Sequence, residues 1–192
     1  MKFLAKMLSW LVPIKKYRKP FLHRLENFFW CSDTNNIYIW KIKKTAKLVG
    51  KNLRIGASSK VNKNTVLGDN VLLHGLKIAG KGAVSIGSYV IAAGDCMIIT
   101  ENHNYEGDFI PYDHTSIYRN VEIGDFVWIG ARVLILPGTK IGEGAIIQGG
   151  AVVHGEIPPY AIAGGNPAKV FKYRDIEHFQ KLKNEKKFYT RD

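Results

Sequence analysis

Six histidines are scattered through the 192 residues, and two of them, His103 and His114, share one polar, aromatic-rich stretch, TENHNYEGDFIPYDHTSIYRN, at residues 100–120. Imidazole is neutral near physiological pH, so either ring can take a proton from a hydroxyl, whereas a lysine would need a large downward shift to do the same. Glu101, Asp108 and Asp113 lie in the same stretch, and their carboxylates can orient such a ring or meet an acceptor. A lone histidine also serves as a satisfied structural or surface group, and residue types alone leave both readings open for His103 and His114. His23, His74, His154 and His178 read as structural or surface groups. Cys31 and Cys96 lie far apart, without the paired spacing of a zinc site or a redox motif, which fits a reducing compartment.

The elements that must hold these residues are legible in a period of six. From Ile123 the sequence reads IGDFVW, IGARVL, ILPGTK, IGEGAI, IQGGAV, VHGEIP, so that Ile123, Ile129, Ile135, Ile141, Ile147 and Val153 recur six apart. Four positions further into the first five units stand Val127, Val133, Thr139, Ala145 and Ala151. A period of six fits neither a helix at 3.6 nor plain strand alternation. It predicts an all-β fold, a left-handed parallel β-helix in which each hexapeptide makes one short strand and a corner and three make a coil. The branched aliphatic residue points inward and stacks on its counterpart one coil away, and each coil buries its apolar face only against its neighbours. An earlier array, Val49, Ile55, Val61, Leu67, Leu73 and then Ile86, Ala92, Ile98, carries one step of 13, which implies a small insertion near Gly75–Gly82. The interval from Ile98 to Ile123 is not a multiple of six, so a loop, residues 101–120, must leave the prism there. After Val153 the prolines and glycines of EIPPYAIAGGNPAKVF are expected to end regular coiling, and Ile176, Phe179 and Leu182 mark one side of a C-terminal helix.

The formal net charge of +12 sits at the ends of the chain: residues 1–50 hold 11 basic and 2 acidic side chains, while residues 121–170 hold 3 and 4. The near-neutral middle and the absence of a recognition motif argue against nucleic acid as a partner. Phe3, Leu4, Met7, Leu8 and Leu11 fall at helical spacing, and a second short helix with Pro20 in its first turn would gather Phe21, Leu22, Leu25, Phe28 and Phe29. These faces can pack on the main domain, or residues 1–30 can lie as a basic amphipathic extension at a membrane surface beside Lys15, Lys16, Arg18 and Lys19. The apolar start is interrupted by Lys6 and Pro13, so no signal peptide is read. The expected organisation is a basic amphipathic helical N-terminal extension at 1–47, a β-helix domain at 48–170 and a C-terminal helix at 171–192. The expected location is cytoplasmic, with peripheral contact at the inner face of the membrane.

The run ENHNY, the later NVEIGDFVWIGARVLILPGTKIGEGAIIQGGAVV and the closing IPPYAIAGGNPAKV together resemble bacterial hexapeptide-repeat O-acetyltransferases of the sugar- and polysaccharide-modifying branch, over about residues 85–172. The repeats alone would not separate acyltransferases from other proteins of this fold; VWIG and AGGNPAKV do. The resemblance implies an acetyl-CoA-dependent O-acetyltransferase that uses acetyl-CoA as co-substrate, needs no metal and assembles as a homotrimer. Its acceptor would be a carbohydrate hydroxyl, on a surface polysaccharide or its precursor. It implies His103 as general base and the main-chain N–H of Ala131 as oxyanion donor. Trp128 would stand at the cofactor and acceptor entrance, and Gly149 and Gly150 along the pantetheine arm. Asn166 and Pro167 would form the turn that closes over the cofactor, and Lys169, with Lys172 assisting, would meet CoA phosphate. The trimer it implies would place His103 of one chain against CoA held partly by the next.

Two other classes compete. A metal-dependent hydratase on this fold needs about three convergent histidines and an open position for water, and His103 with His114 lacks that pairing. A non-catalytic β-helix scaffold needs neither. Within transferases, an amino-sugar N-acetyltransferase is the alternative, although the nucleotide-sugar enzymes of this fold usually add an N-terminal α/β domain that the short basic start cannot supply.

Overall fold

The computed structural model of the chain describes residues 34–189, with side chains from residue 37 onward. The two amphipathic helices expected before residue 30 lie outside the described residues. The chain divides into two compact units, residues 1–37 and 38–192, and the second carries the fold.

Helix α1, Thr34–Thr45, precedes the first coil. Lys43 and Lys44 stand in its last turn, where the helix dipole favours positive charge, and the Thr45 hydroxyl donates to the Lys41 carbonyl. Ile42 is buried, and Tyr38 and Ile39 pack against the core. The sequence reading did not single out this helix.

From Leu48 the chain winds as the left-handed β-helix expected from the period of six. The first face holds β1 (Leu48–Val49), β3 (Thr65–Leu67), β6 (Val84–Ile86), β11 (Val121–Ile123), β14 (Lys140–Ile141) and β17 (Glu156–Ile157). The second holds β2 (Arg54–Ala57), β4 (Leu72–His74), β7 (Ile91–Ala92), β12 (Trp128–Ile129), β15 (Ile146–Ile147) and β18 (Ala161–Gly164), with β19 (Lys169–Tyr173) added antiparallel. The third holds β5 (Lys77–Ala79), β8 (Met97–Ile99), β13 (Leu134–Ile135) and β16 (Val152–Val153). Apart from β18–β19, each neighbouring pair on these faces is parallel, and apart from a shift between Ile55 and Ala57 in the β2–β4 pair the parallel pairs are in register, so Ile86, Ile123, Ile141 and Ile157 stack in one inward column and Ile98, Ile135 and Val153 in another. These side chains are all buried, which is what fixes the period: a one-residue slip would turn the column outward.

The step of 13 resolves into two opposed irregularities that leave one extra residue. Leu73 to Ile78 is shorter than a repeat and Ile78 to Ile86 is longer, and both ends remain inward and buried. The added residues form a widened corner at Ala79–Ala83. Asn62 donates through Nδ2 to the carbonyls of Gly80 and Gly82 at 2.9 Å, and Asn64 Nδ2 donates to Lys81 O. The buried Thr100 hydroxyl donates to Ala79 O and accepts from Gly82 N, so the polar groups of the wider corner are paired.

Coiling does not end at Val153. β17 pairs with β14 and β18 with β15, after a corner of compressed length. Pro158 stands where the N–H of Gly142 bonds to the following coil, and among the described residues no strand lies beyond β17 on that face, so a missing N–H costs nothing there. The prolines are compatible with a last coil rather than an interruption.

Helix α2, Ile176–Asn184, is capped by Asp175, whose side chain accepts from His178 N at 2.9 Å. It flanks the edge between the first and second faces. Phe179 meets Phe126 and Tyr160 edge-on, Phe188 packs on Tyr89 and Phe126, and Lys183 pairs with Glu143. Leu182 is half-buried, but Ile176, expected on the same packed side, is exposed, because the helix docks through its middle and the segment after it. No described helix is long and apolar enough to cross a membrane.

Candidate active site

The stretch carrying His103 leaves the prism at the edge between the third and first faces, after β8, and folds on itself. β9 (Glu101–His103) and β10 (Ser116–Tyr118) pair antiparallel, with His103 opposite Ser116. The chain returns through Arg119 N, which donates to Thr100 O, and Asn120, whose side chain accepts from Ala83 N at 3.0 Å. His103 is exposed, and its ring lies flat on Tyr112, with centroids 3.9 Å apart and planes 9° from parallel. Tyr112 carried no signal in the sequence beyond being one of several aromatics in the loop.

Of the carboxylates proposed to orient the imidazole, Asp113 is buried and committed elsewhere. It accepts from Thr115 N at 2.8 Å and from the Thr115 hydroxyl, bonds that hold its carboxyl below the usual carboxylate range. Glu101 stands opposite Tyr118 at the base of the hairpin. Among the described residues no carboxylate hydrogen-bonds to His103. His114 is exposed at the loop surface.

The residues expected around the thioester gather on a different edge. Ala131 is at the corner between the second and third faces, and Gly149 and Gly150 occupy the same corner one coil on, where Gly150 N donates to Ala131 O at 2.8 Å. Nothing among the described residues accepts from the N–H of Ala131, a property this corner position shares with Gly149. Trp128, three residues before Ala131, projects from the second face between Ile91 and Ile146 and is 53% exposed.

Gly150 has φ +75°, but the corner itself does not demand glycine: Arg132 and Asp95 occupy the equivalent positions one and two coils earlier at φ +58° and +59°. A Cβ at Gly150 would meet nothing within 4 Å. The glycine therefore leaves an open strip beside Ala131 where the preceding coils carry side chains. Arg132 adds a cation at this edge that the sequence reading passed over.

The closing turn lies next to the strip. Gly165 O accepts from Val152 N at 3.0 Å and Ala168 N donates to Val152 O at 2.8 Å, so Asn166 and Pro167, joined by a cis peptide, bulge out two residues beyond Gly150. Lys169 stands opposite Gly164, and Lys172 opposite Ile162 in the outward row that contains Trp128 and Ile146. Trp128, Ala131, Gly149, Gly150, Asn166, Pro167 and Lys169 thus share one edge, with Lys172 beside it, and His103 belongs to another.

Residues 120–155 match the family model described as bacterial transferase hexapeptide (six repeats). A probable acetyltransferase of Mycobacterium tuberculosis is 40% identical over 94 residues, 48% of this chain and 31% of that protein. A chloramphenicol acetyltransferase of Escherichia coli is 35% identical over 109 residues, 48% of this chain and 52% of that one. The chain therefore spans between about a third and a half of the length of these relatives. A galactoside acetyltransferase solved in complex with coenzyme A superposes with a TM-score of 0.61 at 24% identity, over 92% of this chain and 82% of that one. The chain carries hexapeptide repeats in the left-handed β-helix fold, and the relatives and the solved structure named above are described as acetyltransferases.

Proposed function

We propose that the protein transfers an acetyl group from acetyl-CoA to a hydroxyl of a carbohydrate, a surface polysaccharide or its precursor. The observation that carries this reading is the open Gly149–Gly150 strip, flanked by the free N–H of Ala131 and the exposed Trp128 and closed by the Asn166–Pro167 turn with its lysines. A pantetheine arm needs a groove lined by main chain, a phosphate needs nearby cations, and a tetrahedral oxyanion needs a donor about 2.7–3.1 Å away; one edge offers all three. The acetyltransferases among the relatives support the donor, and the galactoside acetyltransferase of this fold solved in complex with coenzyme A supports coenzyme A as the acyl carrier.

In this reading His103 removes the acceptor hydroxyl proton as the oxygen attacks the thioester carbonyl. Ala131 N–H holds the resulting oxyanion. Collapse breaks the C–S bond, and His103 returns its proton to the departing thiolate, so no acyl-enzyme forms.

His103 and the Ala131 edge belong to different edges of one prism, which supports a shared site: a homotrimer in which His103 of one copy faces the cofactor edge of the next. Turnover of acetyl-CoA against a panel of sugars, glycans, amino sugars and chloramphenicol, with the product resolved as ester or amide, tests the acceptor class. An ester on a sugar hydroxyl supports the proposal; an amide product, or an ester only on chloramphenicol, overturns the acceptor assignment. Mixing an inactive His103→Ala chain with an inactive Gly150→Trp chain tests the shared site. Partial recovery of activity is expected, and full activity of a monomer would contradict it.

A further inference from the structure

The loop that carries His103 is more ordered internally than a flexible excursion requires. Asn104 and Asp113, the chain neighbours of His103 and Tyr112, bond to each other and to Thr115: Asp113 N donates to Asn104 O at 3.1 Å, Asn104 N donates to Thr115 O at 3.2 Å, and Asn104 Nδ2 donates to the Thr115 hydroxyl at 3.1 Å. The buried Asp113 carboxylate accepts both Thr115 donors, and a Cβ on Gly107 would collide with it, so the loop closes directly over the carboxylate. This rung sets the backbone at 112–113 against that at 103–104. The next pair outward is the stack itself, tighter at 3.9 Å than the usual 4.5–7 Å of aromatic pairs. Tyr112 is 46% exposed, which is little burial for a ring whose role is core packing.

We propose that Tyr112 is the positioning residue for His103, its ring fixing the plane of the imidazole through a face-to-face stack, anchored by the Asn104–Asp113–Thr115 cluster. This rests on His103 being the base. A general base must hold its nitrogen within hydrogen-bond reach of the acceptor, and a ring free to rotate spends much of its time misaligned. Bases of this kind are commonly oriented by a hydrogen-bonded third group. His103 has no such carboxylate among the described residues, and the stack supplies the constraint instead. One face of the imidazole is covered, and its two nitrogens are left at the rim.

The test compares Tyr112→Leu and Tyr112→Phe with the unaltered chain and with His103→Ala. Loss of an aromatic pair changes the population of the stacked ring by about 2- to 12-fold, and misplacement by about 1 Å costs up to about 100-fold. Tyr112→Leu should therefore lower kcat about tenfold with the KM for acetyl-CoA unchanged, and Tyr112→Phe should restore kcat to within about threefold. In NMR spectra the His103 ring protons should be displaced upfield in the unaltered chain and in Tyr112→Phe, and should lose that displacement in Tyr112→Leu. Unchanged kcat in Tyr112→Leu beside an inactive His103→Ala overturns the positioning role and leaves the base in place. Equal loss in Phe and Leu variants overturns it by making the hydroxyl, not the stack, decisive. Undiminished turnover in His103→Ala removes the base and the proposal with it.

Discussion

Gly150→Asn separates what the corner needs from what a ligand needs. The backbone at Gly150 has φ +75°, where asparagine is tolerated far better than most side chains, and Asn52 and Asn70 already hold φ +55° and +56° at another edge of the same prism. Asp95 and Arg132 do so at the equivalent corners of preceding coils, and a Cβ at position 150 meets nothing within 4 Å. The expected cost to folding is therefore a few tenths of a kcal/mol, a shift in Tm of about 1–2 °C for a chain of this size. The new side chain places about four heavy atoms in the open strip, and displacing a similar number of ligand atoms at about 0.3 kcal/mol each loses about 1.2 kcal/mol, close to tenfold in affinity. Thermal unfolding and calorimetric titration with CoA measure the two effects separately. A variant that melts normally and binds CoA about tenfold more weakly agrees with the strip as the pantetheine path. Undiminished CoA binding would refute that path, and a Tm loss beyond about 10 °C would refute the claim that the corner does not require glycine.

Two further predictions follow from the coil and the loop. Ile135, fully buried between Ile98 and Val153 on the third face, should cost about 2–5 kcal/mol when replaced by alanine, lowering Tm by about 4–20 °C; a variant melting within about 1 °C of the unaltered chain would contradict the inward column. The Asp113 carboxyl is held below its ordinary value of 3.8 by Thr115, so it stabilises the loop at higher pH and this contribution is lost only as pH falls through its lowered folded value. The Thr115 amide resonance should therefore stay constant from pH 8 to 5 and titrate below 3.8, with Asp113→Asn abolishing the transition; a midpoint above 3.8 would contradict the assignment.

The six-residue period made the prism legible because each inward residue has only one place to go, and Ile123 through Val153 declare it without a slip. Pro158 and Pro159 hid the last coil. Proline reads as a breaker, yet a terminal strand has a face with no further partner, and there its missing N–H leaves nothing unpaired. Helix α1 falls within the N-terminal stretch expected to be helical, but its bounds were not read because Ile37, Tyr38, Ile39 and Trp40 are consecutive and show no helical spacing. On the site, the resemblance implied a base and a cofactor held by different chains, but which edge carries each depends on the face from which the loop departs, and only the fold supplies that. The Tyr112 stack was beyond reach, since it arises from the Asn104–Asp113–Thr115 bonding across the loop and no local period records it. The contrast between Gly150 and Arg132 was present in the sequence all along, but it becomes an argument only when both residues are known to share one backbone conformation.

The most direct test of the proposed chemistry is the rate of acetyl transfer by His103→Ala at saturating acetyl-CoA and acceptor, with CoA affinity measured on the same protein. Because the base is held on a loop at a separate edge from the cofactor strip, turnover should fall by about 10²–10⁴-fold while CoA binds as before. Transfer at the unaltered rate would contradict the account.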